Sequence, residues 1–355
     1  MKAPYPRRVV TQADVSADCG LSEMTVSRVL RGQAGVSARN AEKVRESARK
    51  LGYVANRIAG ALAGAPVPLV AVIVPSLSNM VFPEVLMGLA EGFEGTPLQS
   101  VLGLSNYSPV TEERVLAELL AWRPAAVVLT GLDHSATTHD LLARANVPVV
   151  EIMDSDGTGI DCLVGLSQRA AGAGMAQAVI AAGYRNVVLL RSNQQADRRQ
   201  DSRFAGFCDA LQAAGVPVLG SVCYRGASSV PKGRTLAAEA LERWPEAEFL
   251  YCTNDMIAAG ALFALEAAGR NVPEDIGLAG FSGLELLAGL TRRVATTDVQ
   301  RFEIGRQAAR MIVERLAGAE PGLRHELRPV VDPGDTLRRQ PVSPAINRVG
   351  ITVTS

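Results

Sequence analysis

Apolar residues in the first sixty positions recur at the spacing of short amphipathic helices. Thr11 and Asp14 form a T-x-x-D capping arrangement that opens a helix burying Val15 and Cys19, with Gly20 where a left-handed stop is needed. After a tight turn, Ser22 caps a second helix with Val26, Val29 and Leu30 inward and Glu23, Met24, Ser27 and Arg28 outward. Ser37 caps a third, in which Ala41, Val44, Ala48 and Leu51 fall on one face. Two helices joined by a turn of about three or four residues that includes a glycine are the signature of a helix-turn-helix.

The segment Arg57 to Gly64 reads as a short helix inside a linker that ends at Pro66 and Pro68. It falls below the roughly 12 residues at which an isolated helix becomes marginal in water, so it is expected to fold only against something else. From Leu69 the pattern changes to β-rich runs alternating with helical ones. Strands are predicted at 69–74, 99–104, 125–129, 147–152, 186–190, 249–253 and 276–279. Helices are predicted at 82–93, 112–122, 136–145, 168–182, 203–214, 231–243 and 257–268. Such alternation implies parallel sheets covered on both faces. Two doubly wound sheets in series place a ligand cleft at the carboxyl ends of their strands.

Length and composition fit this division. A chain of 355 residues exceeds what one core normally holds, and 48% hydrophobic with 20% charged residues is ordinary for a globular protein. No apolar run approaches the roughly 20 residues of a membrane span, and the first residues lack the apolar core of a secretory signal, so a cytoplasmic protein is expected. The formal net charge of zero conceals an asymmetry: residues 1–60 hold 11 Lys and Arg against 5 Asp and Glu, the remainder 25 against 31. A basic head on an acidic body points to a polyanion met by the head alone. The five cysteines form no C-x-x-C pair and read as small buried hydrophobes. His134 and His139, in a polar stretch, read as solvent-exposed, and with His325 show no metal spacing. Gly172-Ala173-Gly174 is a truncated dinucleotide fingerprint, read here as helix packing, and neither a phosphate loop nor a nucleophile elbow occurs. No catalysis, cofactor or metal is expected.

The stretch from Asp14 to Ser22, Thr25-Val26-Ser27-Arg28-Val29-Leu30, Val36-Ser37, Leu51-Gly52-Tyr53, Asn56-Arg57, Asn254-Asp255 and Ile276 to Phe281 resembles the lactose and galactose repressor family of bacterial transcription regulators. Within it, Val149 to Asp154 and Gly165-Leu166-Ser167 are most similar to the gluconate-operon repressor branch. The implied fold is an N-terminal all-α helix-turn-helix (1–55), a hinge (56–68) and an α/β two-lobed, periplasmic-binding-protein-like effector domain (69–334), with a tail at 335–355. Lobe one is expected at about 69–163 plus 299–322, lobe two at about 164–298 plus 323–334.

The resemblance implies that the second helix enters the major groove of a double-stranded operator. Glu23, Met24 and Arg28 would reach base edges, Arg28 being suited to guanine, while Ser22, Thr25, Ser27 and Ser37 hold phosphates. Thr11, Asn56 and Ala59 complete the DNA-facing set, and Leu62 is the wedge that would enter the minor groove. Asn40-Ala41, Ala55 and Gly60 depart from the family pattern. Cleft positions carry over to Ser78, Asn79, Phe82, Asn106, Tyr107, Glu151 or Asp154 near the crossover, Arg203, Asn254 and Gln300, and Ser282 stands where the family commonly has an aspartate. Losing that carboxylate favours a sugar acid such as gluconate. The function expected is a homodimeric repressor of sugar-acid catabolism genes, released from a palindromic operator by its effector. The alternatives are a two-lobed sugar-binding protein and a co-repressor-dependent regulator with a neutral sugar or nucleobase ligand.

Overall fold

The computed structural model describes residues 9–54, 67–78, 80–193 and 198–339. They form two compact units, one ending at Val67 and one beginning at Pro68.

The first unit contains helices α1 (Gln12–Cys19), α2 (Glu23–Leu30) and α3 (Ala38–Leu51). Each begins where a side-chain oxygen takes up an otherwise unpartnered N–H: Thr11 accepts from Asp14, Ser22 from Thr25 and Ser37 from Asn40. Asp14 answers Thr11 with a reciprocal bond to its backbone, completing a capping box. Gly20 ends α1 at φ 69°, which a side chain would resist. Val15, Val26 and Val44, one from each helix, meet in a core fully closed to solvent. The Ser47 hydroxyl crosses from α3 to donate to the Val15 carbonyl, and Lys50 pairs with Asp18 at 2.7 Å.

The second unit opens with β1 (Val67–Val74), whose first residue is the last of the first unit, and runs on through α4 (Val81–Gly92), β2 (Gln99–Leu104), α5 (Pro109–Leu120), β3 (Pro124–Thr130), α6 (Ala136–Ala145), β4 (Val149–Ile152) and β5 (Cys162–Gly165). It continues through α7 (Gln168–Ala181), β6 (Val187–Ser192), α8 (Arg198–Ala213), β7 (Val218–Tyr224), α9 (Val230–Arg243), β8 (Phe249–Cys252), α10 (Asp255–Ala267) and β9 (Gly277–Ala279). Beyond a 3-10 turn at Glu285–Gly289 come β10 (Thr296–Asp298), α11 (Arg301–Leu316), β11 (Arg324–Glu326) and β12 (Val330–Asp332). One sheet has the order β11-β5-β4-β3-β1-β2, a second β7-β6-β8-β9, and β10 pairs antiparallel with β12.

Away from the edge strands β2, β7 and β11, both large sheets are buried on both faces, which explains the near-continuous apolar sequence of their remaining strands. In β1, Val70, Val72 and Val74 pack under α4 and α11, while Ala71 and Ile73 pack under α5 and α6. In β6, Val188 and Leu190 face α9 and α10, and Val187 and Leu189 face α7 and α8.

Three helix pairs, α4 with α11, α7 with α8 and α9 with α10, cross at facing glycines: Gly88 and Gly305, Gly172 and Gly206, Gly233 and Gly260. A Cβ at any of the six would overlap a backbone carbonyl of the partner helix. Gly172 therefore serves helix packing, and the carbonyl it rests on is that of Arg203.

The structure corrects several boundaries. Val67 and Pro68, expected in the hinge, begin β1. The region 323–334, expected in lobe two, is divided: β11 pairs with β5 in the first sheet, and only β12 returns to lobe two through β10. The expected tail starts too early, because Thr336 and Leu337 are buried and the Thr336 hydroxyl donates to Leu278 and accepts from Ala295 N–H. β5, β7 and the elements after β9, helix α11 among them, lie outside the predicted alternation; β7 is a half-exposed edge interrupted by glycine and serine, and β10, β11 and β12 are three residues each. Helix α8 begins at Arg198, five residues before its expected start, behind the polar turn Arg198 to Ser202. Cys223 is exposed on the edge strand β7, whereas Cys162 and Cys252 are buried.

Replacing Gly172 with Ala is expected to destabilise the protein by about 1–3 kcal/mol through overpacking, despite alanine's higher helix propensity. Chemical denaturation checks this; unchanged or raised stability contradicts the close crossing.

Candidate functional site

Helix α2 presents Glu23, Met24 and Arg28 to solvent, Met24 with 68% of its surface exposed, while Thr25 and Ser27 are half-buried. The hydroxyls of Ser22 and Thr25 share a hydrogen at 2.9 Å. Thr11 is bound into its cap through both its N–H and its hydroxyl, each 2.8 Å from Asp14 Oδ2. Thr11, Ser22 and Ser37 therefore first serve the backbone, and they lie exposed at the helix starts. Asn56, Ala59 and Leu62 lie outside the described residues, as do Ala55 and Gly60.

In the second unit a cavity of about 370 Å³ opens between the lobes. Its wall comes from the carboxyl ends of strands: Pro75 and Ser76 after β1, Asn106 after β2, Met153 after β4, Ser192 of β6, Tyr224 of β7, Thr253 after β8 and Phe281 after β9. Ser78, Phe82, Asn106, Tyr107, Arg203, Asn254 and Ser282 all line it. Asn106 and Tyr107 adopt left-handed conformations (φ 52° and 56°) that turn the chain out of β2 and onto the wall.

Arg203 is 5% exposed and held on three sides. Nη1 donates to Gln168 Oε1 at 2.6 Å, Nη2 donates to the Thr253 carbonyl at 3.0 Å, and the guanidinium lies 3.7 Å from the centre of the Phe281 ring. Gln168 is in turn fixed by donating to the Met153 carbonyl, and the α7–α8 crossing sets the backbone beneath. A guanidinium fixed in this way places its positive charge at a set position on the cavity wall. Asn254 uses its Oδ1 to cap α10 and its Nδ2 to donate to Ser228, whose hydroxyl also meets the Tyr224 hydroxyl at 2.7 Å. Gln168, Arg199, Tyr224, Ser228 and Thr253 were not picked out by sequence reasoning, because they come from three separate elements and two loops and share no spacing.

Three expected residues stand off the wall. Glu151 points into the α5–α6 side of the first lobe, 1% exposed, accepting from Ile160 N–H and lying 3.5 Å from His134 Nε2. Met153, left-handed at φ 78°, takes the wall position that Asp154 was expected to fill, and Asp154 accepts from Asp156 N–H instead. Burial raises the pKa of both carboxyls. Gln300, also left-handed, donates to the Arg328 carbonyl and borders a shallow groove away from the main cavity. Asn79 lies outside the described residues. The imidazole of His134, expected in solvent, is closed off from it with Nδ1 2.7 Å from Glu112; burial opposes its charge, but the adjacent carboxylates outweigh this and raise its pKa.

Ser282 holds φ 119°, a region that favours glycine, with its N–H given to the Thr297 carbonyl. The turn it opens is fastened by Asp255, which accepts from Leu284 N–H and from the Thr296 hydroxyl, both at 2.7 Å. Complete burial pushes the Asp255 carboxyl up to about 6, against these hydrogen bonds and the nearby Arg301 charge.

A helix-turn-helix and a two-lobed binding body in one chain define the class of DNA-binding transcription regulators with an effector domain. Residues 11–56 match the family described as bacterial regulatory proteins, lacI family, and residues 68–328 match periplasmic binding proteins and sugar binding domain of LacI family. The chain is 37% identical over 313 residues to the HTH-type transcriptional regulator GntR of Pseudomonas aeruginosa, covering 87% of this chain and 90% of that one. It is 30% identical to the regulator IdnR of Escherichia coli, covering 86% and 92%. A solved LacI-family regulator from Silicibacter pomeroyi superposes with a TM-score of 0.89 at 50% identity over 93% of this chain and all of the other. The protein belongs to the LacI family of transcription regulators.

Because the folded state holds the Asp255 proton more tightly than the unfolded chain, its contribution to stability falls as pH rises from about 4 through about 6. Thermal melts across this range should show that slope in the parent and a shallower one in Asp255→Asn; identical slopes would exclude Asp255 as its source.

Proposed function

We propose that the protein is a repressor of sugar-acid catabolism genes that works in the cytoplasm as a homodimer on a palindromic operator and is released when a sugar acid such as gluconate occupies the inter-lobe cavity. The observation that carries the effector class is the charge of the wall. Among the described residues it holds the guanidiniums of Arg199 and Arg203, many hydroxyls and amides, and no carboxylate. A carboxylate bearing a chain of hydroxyls matches that set, and Ser282 in place of an acidic residue keeps the wall free of repulsion. The GntR and IdnR names of its relatives agree with this reading.

For DNA, the reading rests on the exposed face of α2, where Arg28 stands about one turn beyond Glu23 and Met24, and on the basic charge of the head. Two such heads related by a twofold axis read two half-sites. The lac repressor has been solved as a dimer bound to operator, and that structure resembles this chain with a TM-score of 0.81 at 22% identity. Ligand binding that favours one lobe orientation changes the operator-competent population.

Isothermal titration against D-gluconate, a phosphorylated sugar acid and glucose is expected to show binding of the acids and none of the neutral hexose; tight binding of glucose alone refutes the effector class. Arg203→Lys should weaken acid binding about tenfold or more, because an ammonium cannot reproduce the paired geometry. Arg28→Ala is expected to lose about 1–3 kcal/mol on the palindromic operator and far less on scrambled DNA, as measured by anisotropy at fixed salt. Equal losses on both would reduce Arg28 to a phosphate contact.

A further inference from the structure

The turn from Phe281 to Leu284 is gripped by opposite charges from the two lobes. From lobe two, the Asp255 carboxylate accepts from Leu284 N–H. From lobe one, Arg301, the first residue of α11 and 5% exposed, donates through Nη1 to the Ser282 carbonyl and through Nη2 to the Gly283 carbonyl at 3.0 Å. The same Nη2 is paired with Glu84 Oε1 at 2.8 Å. Glu84 stands in the first turn of α4, beside Val81 and Phe82 on the cavity wall. Phe281 and Ser282 line another part of the same wall. One cation thus joins two portions of the wall from behind without lining the cavity itself.

We propose that Arg301 is a positioning residue for the effector response: paired with Glu84, it makes the Ser282–Gly283 segment and α4 move as one body. A ligand touching Phe82 and Ser282 then displaces a linked unit, and its binding energy reaches the rest of lobe one. A ligand shifts a conformational equilibrium only through contacts that differ between states, and the tie determines which parts of lobe one share that difference. Without Glu84 the guanidinium keeps its carbonyls but loses its direct bond to α4, and the segment is then tied to α4 only indirectly, through the α4–α11 crossing. The inference rests on the reading of the cavity as the effector site.

The test uses the full chain, with Glu84→Gln, Arg301→Gln and the double variant. Titration gives gluconate affinity; operator affinity with and without saturating gluconate gives the coupling ratio. Glu84→Gln is expected to bind gluconate within about threefold of the parent while its coupling ratio falls by about fivefold or more, and the double variant should lose no more than Arg301→Gln alone. A parental coupling ratio in Glu84→Gln overturns the proposal, and this variant, with a partly exposed site, decides the matter if Arg301→Gln does not fold. If the parent does not bind gluconate, the effector assignment fails instead, and amide hydrogen exchange of the ligand-free protein tests the tie. Faster exchange in Glu84→Gln at both the start of α4 and Gly283–Leu284 supports it; a change confined to α4 overturns it.

Discussion

A parallel sheet covered by helices on both faces leaves little room for polar groups along its central strands, so ligand-facing groups collect where the strands end. That constraint organises the body of this protein. Val70 to Val74 and Val187 to Leu190 are buried on alternate sides without interruption, and the polar residues Ser76, Asn106, Ser192 and Thr253 at or just beyond the strand ends lie together on one cavity wall. The cavity follows from the way two such sheets face each other across their carboxyl edges.

Helix crossings through facing glycines carry this arrangement down to single side chains. Because Gly172 lets α7 rest on the backbone of α8, the Arg203 guanidinium is brought to Gln168 on one helix and to the Thr253 carbonyl on another segment. Phe281 closes the remaining face. Held by these acceptors and stacked on an aromatic ring, the guanidinium sets a positive charge at a fixed place on the wall.

The head relies on capping and on charge. Its core is only a few residues, and the start of each helix is fixed by Thr11, Ser22 or Ser37. A basic excess on this small unit and an acidic excess on the remainder restrict the attraction for a polyanion to one part of the chain.

Much of this was legible in the sequence. The three caps, the Gly20 stop, the apolar strands of both sheets and the cavity positions Ser78, Phe82, Asn106, Tyr107, Arg203, Asn254 and Ser282 come from local spacing or from motifs that resemble a known family. Local signals sufficed because capping, helical periodicity and buried-strand composition each act within a few residues. Tertiary structure alone decided that Met153 displaces Asp154 from the wall, that Glu151 turns away to lie near the solvent-shielded imidazole of His134, and that β11 joins the first lobe. It also decided that Gln168, Arg199, Tyr224 and Ser228 share the cavity and that Arg301 meets Glu84. These outcomes depend on a backbone turn at one residue or on contacts between segments far apart in the chain, and side-chain type and spacing along the sequence carry no record of either.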